Sequence, residues 1–272
     1  MYLKNATAGF FLAALLGAAP PGALAAEGSF SLAVGADYTS GDYGTGTTTT
    51  IWSFPVTGRY ETGPWTLRLT IPYLHIDGGT APIPGIGVVP NLNPAGRGRG
   101  AAPGGGDLAQ ASASGLGDLV AAATYNLYPG GASGVGVDLT GRIKFATADE
   151  DEGLGTGAND YSVQVDVFKD YGAVTLFAGL GYTDYGSTSF ISLDNAFNVN
   201  VGGSYRIDDR NSAGLSFDAR ERLSQSDSPL REFTAFWNYR IDRYWRAQAY
   251  VLKGFADGSP DYGVGGSVAY AF

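Results

Sequence analysis

His75 is the only histidine in the 272-residue chain, so any imidazole chemistry must be built around it. Asp77 stands two residues on, and Ser112 and Ser114 follow after a long Gly-, Pro- and Ala-rich stretch. A serine activated by a histidine, with a carboxylate to orient the ring, is the arrangement of a hydrolase. It needs heavy-atom contacts of about 2.6–3.2 Å that spacing alone does not supply. The other reading is a solvated histidine at the tip of a strand. Asp149-Glu150-Asp151-Glu152 gathers four carboxylates that could hold Ca²⁺, yet it lacks the alternating ligands and central glycine of a dedicated calcium loop and reads equally as a solvated loop tip. With no cysteine and one histidine, a zinc site is excluded. The stretch Gly96 to Gly106 carries Arg97 and Arg99 but no Gly-Lys-Ser/Thr, so it is no phosphate loop. The expectation is a chain without catalytic, cofactor or metal site, and not an enzyme.

Charge held at one parity is the more telling pattern. Arg59, Arg68, Arg142, Lys144, Arg206, Arg220, Arg222, Arg240 and Arg246 alternate with apolar residues, and Asp37, Asp118, Asp138, Asp166, Asp218 and Glu232 share their parity. If the apolar parity faces lipid, all of these line an enclosed lumen. An arginine on the lipid side would cost roughly 2–4 kcal/mol at the midplane. Arginines around a narrow pore favour anions; a salt-bridged filling that conducts nothing is the alternative.

The elements that position these residues are strands. Successive side chains on a strand point to opposite faces, and the chain from Phe30 onward alternates with period two almost throughout. One run sets Trp65, Leu67, Leu69, Ile71 and Tyr73 against Thr66, Arg68 and Thr70; another sets Phe233, Ala235, Trp237 and Tyr239 against Glu232, Thr234 and Asn238. About twelve such runs are present, the fourth starting near Gly117. Pro55 and Pro72 interrupt two of them, and because proline lacks the ladder donor, bulges or strand ends are expected there. Connections alternate in length. Those at 61–64, 129–133, 170–172, 208–211 and 242–243 are short; those at 39–48, 77–114, 146–158, 184–193, 224–229 and 256–261 are longer. Tyrosine and tryptophan gather at run ends, which suits rings at headgroup level but also ordinary strand preference.

These features together predict an all-β, membrane-spanning, up-and-down antiparallel β-barrel of about twelve strands. Gly is 42 residues, Tyr 17 and Phe 14, while charged residues are 16%, below the roughly 25% of soluble domains. A formal net charge of −9 makes nucleic acid an unexpected partner. Lys4, the apolar stretch from Phe10 to Leu16, the Pro20-Pro21-Gly22 break and Ala23-Leu24-Ala25 read as a cleavable signal peptide over 1–25, leaving residues 26–272 as an outer-membrane barrel with a long loop at 77–114. That loop, rich in Gly, Pro and Ala, is expected to fold over or into the mouth. The chain ends in Phe272, which resembles the terminal assembly signal of outer-membrane barrels and implies the barrel-assembly machinery as a partner, beside membrane lipid and lipopolysaccharide.

Gly115-Leu116-Gly117-Asp118-Leu119, continuing to Leu127-Tyr128-Pro129, resembles the Gly-x-Gly-Asp-then-strand motif of the outer-membrane transporter family named for the meta pathway of phenol degradation. The resemblance covers about fifteen residues, and beyond them only the architecture is similar. It implies a barrel passing small hydrophobic or aromatic compounds, with a structural role for Gly117 and Asp118. The expected function is passive passage of a small solute. A non-conducting structural or adhesive barrel is the alternative, and an outer-membrane lipase or protease built on His75 the third.

Overall fold

Two-residue alternation closes the chain into a cylinder. The computed structural model describes residues 28–78, 83, 86, 111–130, 134–224 and 228–272. The expected signal peptide lies outside these residues, as do Arg97 and Arg99. The strands are β1 (Ser29–Gly41), β2 (Thr49–Thr62), β3 (Trp65–Gly78), β4 (Ala111–Leu116), β5 (Leu119–Gly130), β6 (Val135–Phe145), β7 (Asp160–Tyr171), β8 (Val174–Asp184), β9 (Ala196–Arg206), β10 (Asn211–Arg220), β11 (Leu230–Arg240), β12 (Trp245–Gly254) and β13 (Tyr262–Ala271). All pairings are antiparallel and join strands that follow one another in the chain, except that β4 and β5 both pair with β3 and not with each other, and β1 pairs with β13 from Ser31↔Ala271 to Ser40↔Tyr262, which closes the barrel. Phe272 N donates to Phe30 O at 2.9 Å beside that seam.

Thirteen strands occupy twelve places in the wall. β4 pairs with the Tyr73–Gly78 end of β3 and β5 with its Trp65–Thr70 end, so the two are halves of one interrupted strand. The interruption falls opposite Pro72. Gly117 N donates to Pro72 O at 2.8 Å, and a Cβ on Gly117 would lie 2.8 Å from both Pro72 Cγ and Leu74 Cδ1, so only glycine fits the crossing. Pro55 stands directly opposite Pro72, and the β1–β2 register skips from Val34↔Val56 to Asp37↔Ser53 beside it. The prolines therefore do not end their own strands. The neighbouring ladders break instead, because a missing N–H is felt by the strand it would have bonded. β4 itself was not expected: Ala111 to Ser114 carry strand pairing inside the segment assigned to the long loop.

The outer surface is apolar and exposed, with Val34, Leu69, Val163, Leu180, Val201 and Val264 around the wall. Aromatic rings band both ends of that surface. Trp65 meets Tyr125 at 4.8 Å and Trp245 meets Tyr270 at 4.9 Å near the short turns; Tyr38 meets Trp52 and Tyr182 meets Phe197, both at 4.9 Å, near the long loops. Two girdles flanking an apolar band are the exterior of a membrane-spanning barrel. Among the described residues, the two larger clusters of inward apolar residues lie at the long-loop end. One cluster joins Ile51, Leu74, Ile76 and Ala113 of β2–β4 to Leu154; another joins Ile83 and Ile86 to Tyr185, Ile191, Leu193, Ala196 and Leu223.

Candidate functional site: the barrel lumen

Residues whose neighbours face lipid must point inward, and most of these are polar, although Leu74, Ile76, Phe168 and Phe236 are buried on the same side. On β6, Asp138, Thr140, Arg142 and Lys144 alternate with Val137, Leu139, Ile143 and Phe145. The register then sorts the inward charges. Arg59 stands opposite Arg68; Arg68 is opposite Ala122, and Ala122 is opposite Arg142. These three arginines feel one another's charge, and Arg246 adds to the same sector. Arg59 pairs with Glu61 at 2.8 Å. Arg59, Arg68, Arg142 and Arg246 thus stand on β2, β3, β6 and β12, with Arg240 of β11 acting on Arg246.

Acids and amides make a second, continuous row. Asn126 is opposite Asp138, Asp138 opposite Asp166, Asp166 opposite Gly179, Gly179 opposite Asn200, Asn200 opposite Asp218, and Asp218 opposite Glu232. Because strands in a barrel are tilted, this row climbs. Asn126 and Asp138 are near the β5–β6 turn; Asp218 and Glu232 are near the long-loop end of β10 and β11. The asparagines share the parity of the charged residues, so alternation carries them too, but a search for charge passes over them.

The other expected lumen residues have specific occupations. Lys144 binds Asp118 at 3.1 Å, Asp160 at 3.0 Å and Thr156 Oγ1 at 2.8 Å. Asp118 also accepts the N–H groups of Thr147 and Ala148. This knot ties the β4–β5 break to the long β6–β7 loop, so Gly117 and Asp118 close a gap in the wall. Arg206 donates to Gly172 O at 3.0 Å and Arg240 to Asp209 O, both across the short-turn end. Arg222 lies beyond the end of β10, which stops at Arg220, and it is exposed.

Arg220 is 2% exposed, and its guanidinium donates to Ile86 O at 2.9 Å. Ile86 belongs to the β3–β4 connection, and β10 is on the opposite side of the barrel from β3. Ile86 is therefore held against the wall that faces β3, at the long-loop mouth. Ile86 N donates to Ile83 O at 2.9 Å, making a turn there, and both side chains pack on the β8–β9 loop. In that loop burial holds the Tyr185 phenol above its ordinary pKa, with Arg220 6.0 Å from its ring. Sequence alone has no signal for this contact, because the two partners are 134 positions apart.

His75 and Ser114 do meet. They are cross-strand partners on β3 and β4, with Nδ1 and Oγ 2.6 Å apart. Both sit on the outward parity near the long-loop girdle, not in the lumen. Asp77 faces Ser112 one outward rung further on. The Asp149 carboxylate accepts the N–H groups of Asp151 and Glu152, so it shapes its own loop turn.

No known family model and no curated protein sequence matches the chain. Solved structures do. An outer-membrane channel from Pseudomonas putida F1 is similar over 92% of this chain and 97% of its own, with 15% identity and a TM-score of 0.65. The NanC porin matches over 88% and 98%, with 9% identity and a TM-score of 0.53. The β domain of the Bordetella autotransporter BrkA matches over 90% and 99%, with 12% identity and a TM-score of 0.51. The fold is that of bacterial outer-membrane β-barrels. Since channels and an autotransporter domain share it, function has to be argued from the lumen.

Proposed function

We propose that the chain is a passive outer-membrane channel for small solutes, its mouth narrowed by the segment that Arg220 holds. One observation carries this reading: inward polar atoms that no protein group satisfies. Ser53 Oγ, Asp166 Oδ2, both amide atoms of Asn200, Asp218 Oδ1, Asn238 Oδ1, Gln248 Nε2 and Ser267 Oγ are buried without a hydrogen-bond partner. A buried polar atom left unpaired costs about 1–3 kcal/mol. A barrel filled by its own salt bridges and hydrogen bonds has no reason to carry seven such residues. A hydrated path through the lumen satisfies them.

A hydrophobic or aromatic solute is the second reading. It is favoured by the apolar cluster of Ile83, Ile86, Tyr185, Phe190, Ile191, Leu193 and Leu223 at the long-loop mouth. A poorly polar compound would meet that cluster before the charged lumen. The class orientation puts the long loops, and so this mouth, at the lipopolysaccharide side. The exposure of Phe272 at the opposite end supports reading it as a contact for assembly machinery.

Protein purified from membranes and inserted in planar bilayers tests the proposal. Steady single-channel current is expected, and Arg220→Ala, which releases Ile86 from the wall, raises it. Clean insertion without current in either form would overturn the reading in favour of a structural or adhesive barrel.

A further inference from the structure

Small residues line the inner face of the seam where β1 meets β13. Register sets them on two adjacent inward rungs. Asp37, Gly265 and Tyr250 share one, and Gly35, Ser267 and Gln248 share the next. A recess opens there, lined by Gly35, Asp37, Thr57, Gln248, Tyr250 and Ser267. An added Cβ on Gly265 would collide with Asp37 Oδ1 and lie 2.6 Å from Tyr250 Cε1, so both side chains lean over space that only glycine leaves. Part of the lining is already bonded. Tyr250 Oη donates to Asp37 Oδ1 at 2.7 Å, and the Thr57 hydroxyl bonds that of Thr70 at 2.9 Å. Two lining groups are not satisfied. Gln248, 4% exposed, has no partner for Nε2, and Ser267 has none for Oγ. Gln248 has Ser267 and Asn238 as cross-strand partners, yet its Nε2 bonds to neither.

An amide donor, a hydroxyl and a carboxylate around one recess are complementary to a group that both accepts and donates. A solute hydroxyl does both. Its oxygen takes the Gln248 N–H, and its hydrogen goes to Ser267 Oγ or to the Asp37 carboxylate. A carboxylate would meet Asp37, and an ammonium group would leave the Gln248 donor unmatched. An apolar group would leave both buried atoms unpaired. We propose that Gln248 and Ser267, with Asp37 beside them, bind a hydroxyl group of a small neutral polyol as it passes along the β1–β13 seam. This rests on the channel reading and names the solute chemistry within it. Further hydroxyls of the same solute find Ser53 Oγ, on the residue opposite Asp37, and Asn238 Oδ1, on the residue opposite Gln248; both atoms are buried without a partner.

The test is block of potassium chloride current through the purified protein in planar bilayers. Two neutral solutes are compared: erythritol, a polyol, and 1,2-dimethoxyethane, which offers ether oxygens but no O–H. Erythritol is expected to lower the current in a saturable way, beyond the viscosity effect that both solutes share. Gln248→Met keeps the length of the side chain and removes its amide. It is expected to raise the half-blocking concentration about fivefold, the size of one lost hydrogen bond between neutral groups. Ser267→Ala should act in the same direction. Equal effects of the two solutes on the native current would overturn the proposal, leaving a recess that holds water alone in a channel that still conducts. No current in any form would instead defeat the channel reading and this proposal with it. The native comparison of the two solutes decides the matter even where a variant does not fold.

Discussion

Lys144 shows how little of a residue's use is visible in its parity. Alternation places it inward, yet its ammonium is held by Asp118 and Asp160, and its work is to fasten the β6–β7 loop over the break in the wall. Lys144→Met leaves two largely buried carboxylates facing each other without a cation. A loss of about 3 kcal/mol is predicted, read as a lower urea midpoint for unfolding in detergent; an unchanged midpoint would contradict the knot. Asp242 lies at the other end of the barrel. Its carboxylate accepts the N–H groups of Trp245 and Tyr244, which hold its pKa below the ordinary 3.8. A depressed folded pKa means that the stabilisation is present above the unfolded value and is lost as pH falls through the folded one. Acidification below about pH 4 is therefore predicted to speed amide exchange at Tyr244 and Trp245 in the native protein. In Asp242→Asn, which keeps the acceptor oxygen but cannot titrate, the exchange should not respond to acid in this way. The charged lumen residues were legible because lipid forbids them the other face. The bonds they make were not, since Lys144–Asp118 and Arg220–Ile86 depend on loops whose paths follow no period.

At the level of the strands, one rule accounts for most of the wall: apolar outward, polar inward, short turns alternating with long loops. It breaks down where side chains are small. β4 reads Ala-Ser-Ala-Ser-Gly-Leu, a strand with no large apolar residue before its end, and so it was indistinguishable from loop. The prolines were legible as disturbances but not as to which ladder would break. The rule itself is testable at Val165, exposed near the middle of β7 beside inward, buried Gln164 and Asp166. Val165→Arg is predicted to cost about 2–4 kcal/mol in a bilayer, measured by folding into vesicles. No penalty would mean that this face does not meet lipid.

Across the whole molecule, Arg59, Arg68, Arg142 and Arg246 stand on β2, β3, β6 and β12, and an acid–amide row climbs from β5 to β11, where Arg206, Arg220 and Arg240 are held by backbone carbonyls. At the long-loop mouth Ile86 is fastened to Arg220 on the far wall. The class of fold was legible from alternation, loop lengths and terminus together. The contact between Ile86 and Arg220 was not, because its partners are 134 positions apart. The central claim, carried from the proposed function, is that solute passes through this lumen and that the Arg220–Ile86 contact narrows its mouth. Single-channel recording of the native protein beside Arg220→Ala tests it most directly. The account predicts steady current in the native protein and a larger current in the variant, with the native level kept in Arg220→Lys if the lysine still reaches Ile86 O. Two silent but correctly inserted barrels would contradict it.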